Sequence, residues 1–341
     1  MKAWVIDSVH DLRNENSPLK LVDLPRPVPQ EGEMLIKVSV CGICHTEIDE
    51  IEGRTPPLRY PVIPGHQAVG TVEQITGDPA DCKPGDRVGV AWIYSACEIC
   101  EYCLSGRENL CSRFVATGRD VNGGYAEYMV VPEQFVYQIP ARFSDIEAAP
   151  LLCAGAIGYR SVSLCNITDG HRIGLTGFGA SAHLVLKLLK YQYPHTELYV
   201  FARSEKEREF AIQLGCTWAG DTADKPPHLL DSIIDTTPVW DPVVHALGNL
   251  KPGGRLVINA IRKESSDKAN LLDIDYSRHI WMEKEIKSVA NVTRSDVREF
   301  IRIASVMSFK PEVEPYAFDK ANEAIMDIKM RRIKGAKVLV I

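Results

Sequence analysis

The amino-acid sequence predicts an α/β protein of two domains, a β-rich domain followed by a doubly wound parallel sheet. Its 341 residues exceed the usual size of one hydrophobic core. Up to about residue 150 the chain shows short β-like runs separated by Pro and Gly turns. Beyond that point strand-like and helix-like segments alternate, as expected for parallel strands joined by helical crossovers.

The composition is that of an ordinary globular protein, with 45% hydrophobic and 25% charged residues. A net charge of −6 disfavours non-specific binding to nucleic acid, and no apolar run approaches the ~18 residues of a membrane span. Asp7 interrupts the N-terminal segment too early for a signal peptide. We therefore expect a cytoplasmic protein with ten reduced cysteines and no membrane or nucleic-acid partner.

In the first domain, several apolar or alternating runs are typical of strands, and helical periodicity is nearly absent. These runs are Lys2–Ile6, Glu33–Val40, Ala68–Ile75, Arg87–Val90 and Tyr125–Val131. Turn residues separate the runs, so the first domain is expected to be a small β-rich unit.

Four cysteines lie within one short loop of this domain. They are Cys97, Cys100, Cys103 and Cys111. Residues so close in sequence cannot all pair as disulfides without strain, whereas four thiolates can surround one zinc ion in a closed structural site. An iron–sulfur cluster has the same ligand count, and a set of free buried cysteines is the remaining alternative.

Three further residues could form a second metal site. Cys44, His66 and Cys153 lie in separate loops, and each alone has an ordinary explanation: half of a redox pair, a loop histidine, or a buried small hydrophobe. Together they supply three ligands, and three protein ligands with one open position are typical of a catalytic zinc.

The second domain begins with a dinucleotide-binding pattern. The strand Arg172–Thr176 is followed by a glycine turn, the helix His183–Tyr191 and the strand Glu197–Phe201. Free N–H groups at the start of the helix could bind a pyrophosphate. The turn residues expected to contact the coenzyme are Gly177, Gly179, Ala180 and Ser181.

The alternation of helices and strands continues to the end of the chain. The predicted elements are the helix Glu205–Leu214, the strand Ser232–Asp235, the helix Pro242–Leu250, the turn Lys251–Gly254, the strand Arg255–Ala260, the helix Asp296–Met307 and the strand Ala336–Ile341. The last ~50 residues are expected to pack back on the first domain.

Five motifs in order identify a family resemblance that covers essentially the whole chain. They are Gly42-Ile-Cys44-His-Thr46, Gly65-His66, the four-cysteine loop, Leu152-Cys153-Ala-Gly155 and the glycine turn. The chain resembles the zinc-dependent alcohol dehydrogenases of the medium-chain dehydrogenase/reductase superfamily. This resemblance implies two zinc ions per chain, the catalytic one on Cys44, His66 and Cys153 and the structural one on the four-cysteine loop.

The resemblance also implies the domain organisation and partners. Residues 1–149, completed by 288–341, would form a GroES-like catalytic domain, and 150–287 a Rossmann coenzyme domain. Members of the family form dimers or tetramers and act on small alcohols and aldehydes. We therefore expect hydride transfer between a primary or small secondary alcohol and a nicotinamide, in a homodimer or homotetramer.

Several positions carry further expectations from the family. Thr46 is placed to take the hydroxyl proton, and Asp49 stands where relatives have a histidine that completes the relay, so either Asp49 or water finishes it. Glu47 could orient His66. Trp92 resembles an aromatic pocket wall and Thr55 replaces a common tryptophan, which predicts a pocket roomier than one for ethanol.

The expected coenzyme is NADP(H) rather than NAD(H). In NAD enzymes an acid at the end of the second strand holds the ribose 2′-hydroxyl. Here Ala202 fills that place, and Arg203 with Ser204 could bind a 2′-phosphate. His45 resembles a pyrophosphate contact in relatives. The alternatives are an NAD(H)-dependent alcohol or polyol dehydrogenase, a non-catalytic zinc protein of the same fold and a zinc-free quinone-reductase-like protein.

Overall fold

The structure, a computed structural model, describes residues 1–77, 82–307, 310–330 and 335–341. These residues divide into two compact units, the first formed by Met1–Ala156 with Val292–Ile341 and the second by Ile157–Asn291. No helix in the described ranges is long and apolar enough to cross a bilayer.

Both units contain strands and helices, numbered here in chain order. The strands are β1 (Lys2–Val5), β2 (Lys20–Asp23), β3 (Glu33–Ile43), β4 (Ala68–Thr76), β5 (Arg87–Val90), β6 (Ile93–Ser95), β7 (Val115–Ala116), β8 (Tyr128–Pro132), β9 (Val136–Gln138), β10 (Arg172–Thr176), β11 (Glu197–Phe201), β12 (Trp218–Gly220), β13 (Leu230–Asp235), β14 (Leu250–Ile258), β15 (Glu285–Ser288), β16 (Val313–Ala317) and β17 (Ala336–Val340). The helices are α1 (His45–Ile51), α2 (Glu101–Leu104), α3 (Asp145–Ala148), α4 (Ala154–Leu164), α5 (Ala180–Gln192), α6 (Glu205–Gln213), α7 (Asp241–Asn249), α8 (Arg294–Val306) and α9 (Ala321–Lys329).

The first unit is organised around a mixed sheet in the order β16-β17-β3-β4-β5-β9, with β8 also pairing with β3. The last strand of the chain, β17, pairs antiparallel with β3, and its Leu339 lies opposite Cys41. Side chains such as Ile36, Val88 and Leu339 are fully buried in the core on this sheet. Strand β3 ends at Ile43, so it delivers Cys44 to the beginning of α1.

The second unit is a parallel sheet in the order β12-β11-β10-β13-β14-β15. Its pairs are all parallel, and helices α5, α6 and α7 join β10 to β11, β11 to β12 and β13 to β14, as the sequence predicts for a doubly wound fold. The strand order reverses at β10, so the carboxyl ends of β10 and β13 mark the switch point where ligands bind in such sheets.

Local predictions differ from the structure in a few places. The strand expected at Tyr125–Val131 is β8, which begins only at Tyr128, because the Tyr125 backbone bonds to Trp4 outside the strand. The helix expected from His183 begins at Ala180, since Gly179 is extended and already caps it. The turn expected at Lys251–Gly254 lies within β14. Helix α1 was not expected, because its start depends on a cap rather than on periodicity.

Candidate active site

The structure brings Cys44, His66 and Cys153 together in the first unit. The ligand atoms of these three residues all lie within 4.8 Å of one another. His66 Nε2 is 3.7 Å from Cys44 Sγ and 3.3 Å from Cys153 Sγ. In a tetrahedral zinc site, metal–ligand bonds of 2.0–2.3 Å separate such donor atoms by about 3.5–3.8 Å. The cluster therefore fits a zinc ion, and its three donors leave the fourth position open.

Local backbone geometry explains how three loops converge. Cys44 is the N-cap of α1, and its Sγ accepts a hydrogen bond from Thr46 N at 3.4 Å. His66 follows Gly65, which has φ +98 and packs so closely on Tyr125 that a Cβ would lie 2.3 Å from the ring. Only glycine fits this position, so the direction of the His66 loop depends on it.

The Glu47 carboxylate holds two of the three candidate ligands. Its Oε1 lies 2.7 Å from His66 Nδ1, and its Oε2 accepts a hydrogen bond from Cys44 N at 2.8 Å. Both side chains are almost completely buried, Glu47 at 0% exposure and His66 at 1%. Contact at Nδ1 leaves Nε2 directed at the two thiols, which is the arrangement seen for carboxylate-supported metal ligands.

Electrostatics in this cluster favour a bound cation. Hydrogen bonding to Cys153, burial and the nearby Glu47 charge raise the pKa of the Cys44 thiol well above its ordinary value. Burial alone would lower the pKa of His66, but the charges of Glu47 and Cys44 outweigh it and raise that pKa. The protein therefore disfavours the Cys44 thiolate in this buried space unless a cation compensates its charge.

The expected relay residues have different surroundings. Thr46 is partly exposed and next to Cys44, whereas Asp49 is 3% exposed. The Asp49 carboxylate contacts the Arg54 guanidinium at 2.6 Å, so it is engaged in an ion pair. His45 is exposed at the start of α1.

The two expected pocket residues lie in the same unit. Trp92 is 5% exposed and meets His66 edge to face, with ring centroids 4.9 Å apart and planes at 89°. The Arg119 guanidinium lies over the Trp92 ring, 5.5 Å from its centroid. Thr55 is partly buried near the end of α1, where its N donates to Asp49 O at 3.1 Å. Trp92 is thus packed directly on a candidate ligand.

The four cysteines of the second candidate metal site also converge. Their Sγ atoms lie within 4.8 Å of one another, with 3.8 Å between Cys97 and Cys103 and 3.6 Å between Cys100 and Cys103. Four thiolates at 2.3 Å from zinc are separated by about 3.8 Å. Backbone hydrogen bonding at Ile99 and the Arg113 side chain lower the pKa of Cys97 to about 5. This set fits a closed zinc site.

In the second unit, the glycine turn has the expected shape. Gly177 has φ +76, and a Cβ there would lie 2.9 Å from Thr237 Cγ2. At Gly179 a Cβ would meet nothing within 4 Å, so the backbone is open to an approaching ligand. Helix α5 begins at Ala180 and includes Ser181; the Ala180 side chain is outside the described part of the chain.

The residues expected to select the coenzyme follow β11. Ala202 is buried and its N donates to Gly220 O at 2.9 Å, while Arg203 and Ser204 are exposed, Ser204 as the N-cap of α6. Arg208 fixes this turn, because its Nη1 donates to Ala202 O at 2.7 Å and to Arg203 O at 2.9 Å. Sequence reasoning missed Arg208, since nothing in its spacing shows that it reaches back to the turn.

Glu50 is a second residue that sequence reasoning missed. It is fully buried on α1, and within the described residues neither carboxylate oxygen has a hydrogen-bond partner. Burial, reinforced by the charge of Glu47, raises the pKa of Glu50 well above its ordinary value. A run of acids on a helix usually indicates a solvated face, so the sequence contained no signal for this burial.

Comparisons with known proteins identify the class to which this fold and site belong. The family described as "Alcohol dehydrogenase GroES-like domain" matches residues 30–141. A "Probable alcohol dehydrogenase AdhA" of Mycobacterium tuberculosis is 39% identical, over 100% of this chain and 97% of the relative. An alcohol dehydrogenase of Geobacillus stearothermophilus is 30% identical, over 99% and 98% of the two chains.

A solved structure agrees with these relatives. A cinnamyl alcohol dehydrogenase of Sorghum bicolor superposes with a TM-score of 0.83 at 25% identity, covering 99% of this chain and 97% of the other. The chain belongs to the zinc-type alcohol dehydrogenase family of the medium-chain superfamily, and it is an oxidoreductase. The resemblance and the predicted fold class, GroES-like with a Rossmann sheet, are confirmed.

We expect Glu50→Gln to stabilise the protein increasingly as pH rises from 5 to 8. An unfolded glutamate loses its proton near pH 4.3, whereas the buried one is held protonated to higher pH, so the wild type loses stability across this range. Thermal unfolding at constant zinc should show an advantage for the variant that grows to about 2 °C or more.

Glu101→Gln, at an exposed position on α2, is the matched control and should show no such trend. A difference between Glu50→Gln and wild type that stays constant with pH would contradict the raised pKa.

Proposed function

We propose that this chain is a zinc-dependent, NADP(H)-preferring alcohol dehydrogenase that interconverts small alcohols and aldehydes. The observation that carries the proposal is the buried Cys44–His66–Cys153 cluster with Glu47 behind the imidazole. We further propose that 1–149 with 288–341 acts as the catalytic domain and 150–287 as the coenzyme domain.

The chain's own residues prepare the reacting centre. Cys44, His66 and Cys153 would hold the catalytic zinc, which supplies a Lewis acid that lowers the pKa of an alcohol hydroxyl toward neutrality. Glu47 keeps His66 in the tautomer that carries its proton on Nδ1, so that the lone pair on Nε2 is available to a metal ion. A second, structural zinc with no open position would be held by four cysteines, Cys97, Cys100, Cys103 and Cys111.

The hydroxyl proton requires an acceptor beside this cluster. Thr46 follows Cys44 by two residues and is partly exposed, so its hydroxyl is the proposed first acceptor. Asp49 is held by Arg54, which favours water as the group that completes the relay, although Asp49 remains the other candidate.

Metal content and aldehyde reduction, measured on the same preparation, test the proposed function. We expect two zinc ions per chain and NADPH-dependent reduction of small aldehydes, with butanol and benzyl alcohol better substrates than ethanol in the reverse direction. One zinc and no turnover would contradict the catalytic site, whereas better efficiency with ethanol would contradict only the roomy pocket.

Two matched variants separate the metal sites. Cys153→Ser should lose one zinc and turnover while keeping most thermal stability, because it changes the open site. Cys103→Ser should lose the other zinc and unfold at lower temperature, because it removes one of the four ligands of the metal ion proposed to hold the cysteine loop together.

Thr46→Val should reduce turnover by about 10²-fold or more while leaving zinc content unchanged, because it removes a hydroxyl that transfers protons. Turnover and metal content of the purified variant provide the measurement. Unchanged turnover would remove Thr46 from the relay.

The coenzyme preference follows from the exposed turn after β11. Arg203 presents a guanidinium suited to a 2′-phosphate, and buried Ala202 offers no carboxylate to a 2′-hydroxyl. Arg203→Ala should lower kcat/KM for NADPH about tenfold while changing that for NADH little. Ala202→Asp should shift the preference toward NADH. A wild-type enzyme that prefers NADH would overturn the assignment.

We propose that the protein forms a cytoplasmic homodimer or homotetramer. Within the described residues β15 ends the parallel sheet, and all four of its residues are exposed, which supports pairing with a second copy. A single chain per particle in sedimentation equilibrium would contradict this.

A further inference from the structure

A buried ion pair lies in the second unit at the carboxyl end of β13. Asp235, the last residue of that strand, is 0% exposed and pairs with Lys263, whose side chain is 7% exposed. Lys263 comes from the segment that follows β14. No motif in the sequence points to either residue.

All three N–H groups of the Lys263 ammonium have acceptors. They point to Asp235 Oδ2, to Thr237 O at 2.8 Å and to Val239 O at 2.8 Å. A lysine has three donors, so its hydrogen-bonding capacity is used completely. Two of the three acceptors are backbone carbonyls of the loop 236–240, which means that Lys263 fixes the path of that loop.

Asp235 completes the same network from the strand side. Its Oδ1 accepts hydrogen bonds from Thr176 Oγ1 at 2.6 Å and from Thr237 Oγ1 at 2.8 Å. Thr237 N also lies 3.2 Å from this oxygen as a donor. The pair therefore ties the loop to the end of β10 as well as to β13.

The loop held in this way packs against the glycine turn. A Cβ on Gly177 would lie 2.9 Å from Thr237 Cγ2 and 3.0 Å from Thr236 Oγ1. Thr236 Oγ1 donates to Thr176 O, one residue before Gly177, at 3.0 Å. A shift of the loop 236–240 would therefore move the Thr236 and Thr237 side chains that pack against Gly177.

A stabilising role alone explains this pair poorly. A buried ion pair often contributes no more stability than well-packed apolar side chains of similar volume, because both charges must leave water. A network that uses every donor does, however, fix one arrangement of the groups it joins. That arrangement lies at the sheet edge where a dinucleotide binds in doubly wound folds.

We propose that Lys263 and Asp235 are positioning residues for coenzyme binding, holding the loop 236–240 against Gly177 so that the glycine turn keeps the shape that receives a pyrophosphate. This inference rests on the proposed use of a nicotinamide coenzyme. The two residues do not contact the coenzyme themselves; they act through Thr236 and Thr237.

The decisive test compares NADPH affinity with thermal stability. Lys263→Met should raise the Kd for NADPH, measured by its fluorescence on the zinc-loaded protein, at least ~10-fold, and it should also lower the unfolding temperature because Asp235 is left without its counter-charge. In the double variant Lys263→Met/Asp235→Asn the unfolding temperature should recover while the Kd stays high. The KM for NADPH should rise in both variants, with that for the aldehyde unchanged.

A matched control comes from the first unit. Lys337 is another buried lysine, with a 1% exposed side chain 2.5 Å from Glu314. Lys337→Met should lower the unfolding temperature and leave the Kd for NADPH unchanged.

Two outcomes would overturn the inference, and they are distinguishable. If the double variant binds NADPH as tightly as the wild type, the pair is structural only and the proposed function stands. If the wild type binds neither NADPH nor NADH, the proposed function fails and the inference fails with it.

Discussion

The contact between Glu47 and His66 is the interaction on which the rest of the candidate site depends. One carboxylate caps α1 through Cys44 N and supports the imidazole through Nδ1, so helix start and ligand direction are set by the same group. Because both side chains are buried, each needs the other: an unpaired carboxylate there would be costly. The loop carrying His66 is therefore fixed to the strand end that delivers Cys44.

The two units solve the problem of holding a charged ligand in different ways. In the first, thiols and an imidazole converge from loops at the ends of β-strands, and burial makes a cation the natural compensating charge. In the second, the proposed coenzyme site consists of backbone groups of the glycine turn, and Lys263 holds the adjoining loop through two of its carbonyls. The proposed metal ligands are therefore side-chain atoms, whereas free backbone N–H groups at the start of a helix can bind a pyrophosphate.

The structure brings together the side chains that the sequence predicts as metal ligands, whereas contacts that reach back to a distant backbone were missed. The convergence of the two candidate ligand sets and the tight glycine turn could be predicted because zinc geometry and a tight turn limit the possible residue types. Arg208 and Lys263 could not, since each reaches backbone carbonyls whose position is known only once the sheet is assembled. Helix α1 was missed because a capping box starts it, and seven residues are too few for periodicity to show.

Helix α1 and its end carry four acidic residues in the segment that follows the candidate ligand Cys44, and three of them contact a basic side chain. Glu47 contacts His66, and Asp49 contacts Arg54, while Glu52 at the helix end contacts Arg54 and, at 2.6 Å, Lys329 of α9. Glu50 alone among these acids has no partner within the described residues. Burial, reinforced by the charge of Glu47, raises the pKa of Glu50 and so disfavours a further negative charge beside the candidate ligands. The burial of Glu50 therefore limits how much negative charge α1 places beside the zinc that Cys44, His66 and Cys153 are proposed to hold.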